Sequence, residues 1–193
     1  RHCPGPETFQ SRGMKLFTFI LFSWFLFLAP SFAEEKAESS SSTPETNLEV
    51  LEITLPEVSP SIANYVGVVR TGDLLFLSGH IPRDSEREVI TGKLGEDTSI
   101  EEGYEAARIT GIELLATLKA ELGDLSKVKR VVKVFGMVNA TPDFTGHSQV
   151  INGCSDLLVD VFGELGRHAR AASGFSSLPV GAVVEIEMIV EIE

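Results

Sequence analysis

The residues best suited to chemistry lie near the C-terminus, in a segment that alternates between small, apolar and charged side chains. It contains one arginine, Arg170, within His168-Ala169-Arg170-Ala171-Ala172, and two glutamates, Glu185 and Glu187, within a later apolar run. An arginine in an apolar strand must be paired or must face an anion, because burying an unpaired charge costs several kcal/mol. The pattern therefore predicts either an ion pair within a sheet or a site for an anion.

Metal and redox chemistry find no support in the residue spacing. Cys3 and Cys154 are far apart and match no zinc or thiol-redox motif. The four histidines show neither an H-E-x-x-H nor an H-x-x-E-H spacing; they are His2, His80, His147 and His168. We therefore expect no metal and no other cofactor.

The overall charge excludes some classes of partner. The formal net charge is −12, with 23% charged residues. Such a balance argues against a general nucleic-acid surface and against electrostatic binding to anionic membranes. We therefore expect no nucleic acid among the partners.

Residues 14–33 have the pattern of a secretory signal peptide. Met14-Lys15 opens the almost wholly apolar run Leu16–Leu28, and the small residues Ser31 and Ala33 follow. The run is shorter than the ~20 residues that usually span a membrane, and an uncleaved anchor is the alternative. We expect no membrane attachment after cleavage, and a secretory, extracellular or periplasmic location, with an organelle also possible.

The flanking segments are interpreted as lying outside the fold. Residues 1–13 precede Met14 and read as an upstream or untranslated extension, so that Cys3 would be absent from the mature protein. Residues 34–47 are polar and rich in serine, and they cannot bury enough apolar surface to offset the entropy of ordering. We predict a flexible linker there and one domain over residues 48–193.

The domain contains several segments with strand patterns. Thr71-Gly72-Asp73 joins two short apolar runs and is typical of a hairpin turn. The predicted strands are Leu48–Leu55 (a strand or extended arm), Val66–Arg70, Leu74–Ser78, Val128–Val138, the short segment with Arg170, and Val183–Ile192. The last strand has one apolar face and one acidic face, which indicates that the acidic face borders a cavity or a subunit.

Two helices are predicted between these strands. Thr98 with Glu101, and Ser99 with Glu102, both have the capping-box spacing, and Gly123 is a suitable C-terminal cap. A second helix is predicted from Asp143 to about Leu165, with Thr141 as its N-cap and Pro142 at its first position. Two helices on one face of a mixed, mostly antiparallel sheet make an α+β fold. A sheet with one open face favours a closed oligomer.

Several motifs, in sequence order, resemble the RidA family, which is also called YjgF or L-PSP. They are Ile62-Ala63-Asn64-Tyr65, Leu77-Ser78-Gly79-His80-Ile81-Pro82, Leu122-Gly123-Asp124-Leu125, Val150-Ile151-Asn152, Ala169-Arg170, and Leu178-Pro179 followed by Glu185-Ile186-Glu187. The resemblance implies a chorismate mutase-like fold and a homotrimer with clefts between subunits. It also implies hydrolysis of 2-imino acids to 2-keto acids and ammonia.

The resemblance assigns roles to particular residues. Arg170 matches the arginine that grips the substrate carboxylate, and a sheet ion pair with Glu185 or Glu187 is the alternative. Glu185 matches the glutamate that orients or activates water at the imine carbon, although it could be an acidic rim residue. Tyr65 matches an aromatic that closes the pocket from the neighbouring subunit, or it packs in the core. Asn152 matches a cleft amide, or it lies on the helix surface or at a trimer contact.

Two further positions line the expected site, and two depart from the family pattern. Ser78 and Gly79 match a loop that contributes backbone groups, or they are ordinary turn residues. His80 replaces the usual glutamine and is either a general base near neutral pH or a loop histidine. Ala172 stands where well-studied members have a cysteine, which weakens the assignment of a substrate by analogy.

Three functions are consistent with these residues. The first is a RidA-like enamine/imine deaminase that takes a small carboxylate substrate. The alternative is a non-catalytic protein of the same fold that binds small carboxylates. The second alternative is an endoribonuclease, against which the negative charge and the absence of a basic stripe both argue.

Overall fold

The computed structural model describes residues 42–58 and 64–193. The predicted upstream extension, the predicted signal peptide and the linker up to residue 41 lie outside the described residues. So do Ile62 and Ala63 of the first family motif. Within the described ranges, no helix combines the length and the apolar character needed to cross a bilayer.

Five strands form one mixed sheet in the order β1-β2-β5-β3-β4. Strands β3 and β4 are parallel, and the other neighbours are antiparallel. The strands are β1 (Val68–Thr71), β2 (Leu74–His80), β3 (Val128–Asn139), β4 (Ala169–Phe175) and β5 (Val184–Ile192). The predicted mostly antiparallel α+β fold is confirmed, including the hairpin at Gly72 and the strand that carries Arg170.

Helices cover one face of this sheet, which we call the helix face; the opposite one is the open face. The helices are α1 (Pro44–Val50), α2 (Ile100–Leu122) and α3 (His147–Phe162). On β5 the alternate residues from Val184 to Ile192 are buried on the helix face, whereas Glu185 and Glu187 lie on the open face. This is the alternation that the sequence predicted.

Helix α2 begins at the predicted capping box. The Ser99 hydroxyl accepts from the backbone N–H of Glu102 (3.1 Å), and the Glu102 carboxylate accepts from the N–H of Ser99 (2.8 Å). The helix ends before Gly123, which has left-handed φ of 75°. Local capping therefore determines both ends of α2.

The predicted start of the second helix is wrong. Helix α3 begins at His147, and its N-cap is Gly146, not Thr141. The backbone N–H of Thr141 donates to the Leu94 carbonyl (2.9 Å), and Phe144 N–H donates to the Thr141 carbonyl (3.1 Å). A tertiary bond and a turn thus hold the backbone at Thr141, and the chain does not enter the helix until His147. The helix also ends earlier, with a 3-10 turn at Gly163–Gly166 that leaves Leu165 half exposed rather than buried.

The beginning of the domain also differs from the prediction. Pro44–Val50 is a helix, not the end of a linker followed by a strand. The Thr43 hydroxyl accepts from Thr46 N–H (3.2 Å), and Leu48 is buried against the core. Asn47 donates to the Val161 carbonyl of α3 (2.8 Å). These contacts offset the ordering entropy that the polar composition by itself could not.

Helices α2 and α3 approach each other closely at Gly153. A side chain there would collide with the backbone carbonyl of Tyr104 on α2. Backbone atoms cannot rotate out of the way, so the contact requires glycine. Below this contact lies a continuous core whose largest fully buried members are Leu75, Leu94, Leu114, Leu115, Leu118, Leu125, Ile151, Leu157, Leu158, Ile186, Met188 and Ile192.

We expect Gly153→Ala to lower the free energy of unfolding by about 1–3 kcal/mol, because overpacking separates the two helices. This loss exceeds the roughly 0.5–1 kcal/mol that alanine gains over glycine in a helix interior. Urea unfolding at one fixed protein concentration measures the change. Gly67→Ala is the control, because its added methyl would meet only Thr117 Cγ2 at 3.7 Å, and it should change stability by less than about 0.5 kcal/mol. Equal stability of the two variants would contradict the close helix contact.

Candidate functional site

Arg170 lies on the edge strand β4, and its guanidinium reaches α3. Nη1 donates to Asn152 Oδ1 (2.8 Å) and to Ser155 Oγ (3.0 Å), and Nη2 lies 3.5 Å from the Ser148 carbonyl oxygen. All three acceptors are neutral. Within residues 42–58 and 64–193, no carboxylate lies within ion-pair distance of Arg170. The guanidinium is therefore oriented by hydrogen bonds while its charge is not neutralised by a neighbour.

Ser155 and His168 extend this arrangement behind the arginine. His168 Nδ1 lies 2.6 Å from the Gly166 carbonyl, and its Nε2 lies 3.0 Å from Ser155 Oγ. Burial lowers the pKa of His168, and the Arg170 charge lowers it further, against the opposing effect of the bond to Gly166. Because a carbonyl can only accept, Nδ1 carries the proton and Nε2 accepts from the serine hydroxyl.

Glu185 lies on β5 and packs against the bulge of β2. The register of β2 and β5 shifts between Leu77 and His80, so Ser78 and Gly79 together oppose Glu187. A side chain at Gly79 would collide with the Glu185 carboxylate. Burial raises the pKa of Glu185, and the charge of Glu187 raises it further. The protein therefore holds a carboxyl group that accepts a proton more readily than a free glutamate.

Ser78 ties the bulge to the segment that carries Tyr65. Its hydroxyl donates to the Val66 carbonyl (2.7 Å), and its N–H donates to the Gly67 carbonyl (3.0 Å). Tyr65, just before this segment, is 52% exposed and does not pack in the core. Ser78, Gly79, Tyr65 and Glu185 thus belong to the same end of the β2–β5 pair.

His80 points away from Glu185. It is level with Ile186 on the helix face, where its Nδ1 lies 2.7 Å from the Ser78 carbonyl and its Nε2 lies 2.7 Å from Thr117 Oγ1. Burial lowers the pKa of His80, against the opposing effects of the bond to Ser78 and of nearby Glu113. Both ring nitrogens are occupied, so the structure places His80 as a clamp between the bulge and α2.

The two main candidates lie on opposite faces of the sheet. Arg170 is level with Val134 and Met188, whose side chains are buried under the helices. Glu185 is level with Met137 on the open face. Paired residues in neighbouring strands point to the same side of a sheet. One chain therefore brings Arg170 together with Asn152, and Glu185 together with Gly79, but does not bring these two groups together.

The open face is apolar at its centre. A depression of about 310 Å³ is lined there by Val69, Phe76, Leu77, Ser78, Lys133, Phe135, Glu187, Met188 and Ile189. A second depression, of about 330 Å³, lies by the turn before α3. Neither contains Arg170 or Glu185. Large hydrophobic side chains remain exposed on the open face, including Val69 at 53% and Phe76 at 39%.

Sequence reasoning missed Ser155 and His168 as partners of Arg170. A signal was present, because Ser148, Asn152 and Ser155 have the i, i+4, i+7 spacing of one helix stripe. Its meaning depended on β4 lying beside α3.

Cys154, on the same helix, is fully buried, and burial raises the pKa of its thiol to about 12. Within the part of the chain that the structure describes, no group of three or more histidines, cysteines or carboxylates could hold a metal ion.

The protein is thus an α+β protein with two groups of candidate residues. Arg170 of the edge strand lies with Asn152, and Glu185 of the last strand lies with Gly79. The family model described as "YjgF/chorismate mutase-like, putative endoribonuclease" matches residues 45–192. The chain belongs to this family, also called RidA, as the motifs predicted.

Individual relatives agree with this assignment. Protein TCP17 of Trypanosoma cruzi is 44% identical over 154 residues, which cover 79% of this chain and 96% of that protein. The crystal structure of protein Atu1372 from Agrobacterium tumefaciens, of unknown function, is 45% identical with a TM-score of 0.73, over 78% of this chain and 92% of that one. A crystal structure from Shewanella oneidensis MR-1 is 32% identical with a TM-score of 0.75, over 78% and 99% of the two chains.

The two partly buried histidines, His80 and His168, should make the fold sensitive to mild acid. Burial lowers the pKa of both His80 and His168 below the ordinary value of 6.5. Above that value both folded and unfolded chains hold neutral imidazoles. As the pH falls through it, the unfolded chain takes up protons that the folded chain resists, so the free energy of unfolding falls.

We expect urea unfolding at fixed protein concentration to show this loss between pH 7.5 and pH 5. The double variant His80→Gln, His168→Gln should have a shallower dependence on pH over the same window, although it will be less stable throughout. Comparison of the two slopes separates the histidines from the carboxylates, which titrate in both proteins. Identical slopes would show that the histidines do not cause the effect.

Proposed function

We propose that the protein is an enamine/imine deaminase that hydrolyses 2-imino acids to 2-keto acids and ammonia. The observation that carries the proposal is the state of the Arg170 guanidinium. Neutral oxygen atoms of α3 accept its hydrogen bonds and fix its orientation, and no carboxylate among the described residues forms an ion pair with it. Such a group is suited to a planar carboxylate, to which each charge-assisted bond contributes roughly 1.5–3 kcal/mol. Membership of the RidA family supports the imine chemistry.

In the proposed mechanism Glu185 acts on water. Its carboxylate accepts a proton from the water as the oxygen attacks the carbon of the N-protonated imine, and a neutral tetrahedral carbinolamine forms. Glu185 then returns this proton to the amine nitrogen, and the C–N bond breaks to release ammonia. The carbinolamine hydroxyl gives up its proton to the Glu185 carboxylate as the carbonyl of the 2-keto acid forms. The raised pKa of Glu185 suits both steps, because a general base works best when its pKa approaches the working pH. The backbone N–H of Gly79 and the ring of Tyr65 would border the substrate.

The active site is proposed to form between copies of the chain, in a homotrimer. Arg170 and Asn152 reach toward the helix face, whereas Glu185 lies on the open face, so one chain supplies only half of a site. The exposed apolar side chains of the open face favour association with a second copy. Arg170 of one subunit would then meet Glu185 of the next across the interface.

Removal of the guanidinium should abolish the reaction. For Arg170→Ala we expect kcat/KM to fall at least about a hundredfold, because two charge-assisted bonds to the substrate carboxylate are lost. An L-amino-acid oxidase generates the 2-imino acid in the assay, and release of the keto acid is followed. Arg167→Ala is the matched control, since that exposed arginine pairs with Glu164 (2.9 Å) and lies outside the proposed site, and it should retain activity.

The assay also separates the alternatives. Binding of pyruvate without acceleration of imine hydrolysis would identify a non-catalytic carboxylate-binding protein. Equal imine hydrolysis by the wild type and by Arg170→Ala would refute the deaminase proposal.

Complementation tests whether the site is shared. Arg170→Ala and Glu185→Gln should each be inactive alone. When the two variants are unfolded together and refolded as a mixture, some interfaces combine Arg170 of one chain with Glu185 of another, and activity should return to a fraction of the wild type. A mixture as inactive as its parents would place both residues in a site within one chain and would exclude the shared arrangement.

The signal-peptide pattern supports a secretory location for this activity. We propose that the mature protein meets 2-imino acids in a secretory, periplasmic or organellar compartment. Cell fractionation with an antibody against the folded domain tests this, and recovery of the uncleaved chain from the cytosol would refute it.

A further inference from the structure

Behind Arg170 lies a chain of hydrogen bonds that all run in one direction. Nη1 of Arg170 donates to Ser155 Oγ (3.0 Å), the Ser155 hydroxyl donates to His168 Nε2 (3.0 Å), and His168 Nδ1 donates to the Gly166 carbonyl (2.6 Å). Each donor polarises the next group, which strengthens bonds in such a chain. The last acceptor in this series is the backbone carbonyl of Gly166, so the series of hydrogen bonds is anchored to the fold.

We infer that Ser155 and His168 are positioning residues that fix the orientation of Arg170 and decide which edge of its guanidinium meets the substrate. With Asn152 Oδ1 as the second acceptor, both hydrogens of Nη1 are directed at α3. The substrate carboxylate is then left with the Nε–H and the outward Nη2–H, which form the side of the guanidinium fork. The inference rests on the proposed function only in naming that carboxylate as a substrate.

The direction of these hydrogen bonds requires a neutral His168. A charged imidazolium would present an N–H to the same oxygen that Arg170 approaches, so that two cations would point at one hydroxyl. Partial burial and the nearby Arg170 charge both favour the neutral ring. The neutral Nδ1–H form leaves a lone pair on Nε2, which turns the serine proton away from the arginine.

Ser155 and His168 come from different elements of the fold. Ser155 is three residues after Asn152, on the stripe of α3 that faces β4, and His168 is two residues before Arg170, immediately ahead of β4. Two polar side chains of α3, Asn152 and Ser155, thus accept from the guanidinium, and His168 acts on it through Ser155. No carboxylate takes part, so the charge of Arg170 is oriented without being neutralised.

The first test is independent of catalysis. In ¹⁵N-resolved NMR of the wild type, we expect His168 as the Nδ1–H tautomer and slowed rotation of the Arg170 guanidinium, with resolved Nη resonances. Ser155→Ala should average the Arg170 Nη resonances, whereas Ser155→Thr, which keeps the hydroxyl, should retain them. Tyr104→Phe is the matched control, because it removes one hydroxyl bond to the neighbouring Asp156 of α3 (3.0 Å) without touching Arg170.

The second test uses pyruvate as a probe of the carboxylate site. We expect Ser155→Ala and His168→Phe to raise the dissociation constant of pyruvate, and KM in the imine assay, about tenfold, the scale of one hydrogen bond to a charged group. The value of kcat should change less than KM, since water activation lies elsewhere. Tyr104→Phe and Ser155→Thr should resemble the wild type.

The outcomes distinguish this inference from the proposed function. An unchanged Arg170 spectrum and unchanged pyruvate affinity in Ser155→Ala would overturn the positioning role. If Arg170 loses its order in Ser155→Ala but no variant, including Arg170→Ala, affects imine hydrolysis, the positioning role holds and the deaminase proposal fails.

Discussion

The sheet imposes the constraint on which the rest of the site depends. Because paired residues of neighbouring strands share a face, Arg170 must point to the helices while Glu185 must point to the open face. No rotamer change within one chain can bring the two groups together across a packed core. The fold therefore places Arg170 and Glu185 on opposite faces of one chain, and any chemistry that needs both would require a second copy whose open face meets the first.

Near each of these two residues lies a histidine with the same pattern of hydrogen bonds. His80 and His168 both place Nδ1 against the carbonyl two residues earlier, Ser78 and Gly166, and both receive a hydroxyl from a helix at Nε2. In each case burial lowers the histidine pKa, which keeps the accepting nitrogen free. A neutral imidazole thus joins a strand end to a helix without adding charge near Arg170 or Glu185. This use of histidine is structural, although the sequence left a general base open for His80.

The parts predicted correctly from sequence are those set by local patterns. The alternation of β5 and the capping box of α2 involve residues within a few positions of one another, and the structure confirms both. The predicted start of α3 was wrong because the backbone N–H of Thr141 donates to the carbonyl of Leu94, a residue that is distant in sequence. Helix α1 was missed because Asn47 bonds to Val161, a partner that no local pattern shows. The Ser155–His168 pair was missed for the same reason, since it depends on α3 lying beside β4.

That closeness of α3 to the sheet is itself set by small residues. Gly136 on β3 is level with Ala172 on β4 and with Ile186 on β5, and a side chain at Gly136 would collide with Ile151 of α3. Ile151 precedes Asn152, so the depth at which Ile151 packs also sets how far the Asn152 amide stands from Arg170. Ala172, partly buried against the core, satisfies the same requirement for a small side chain.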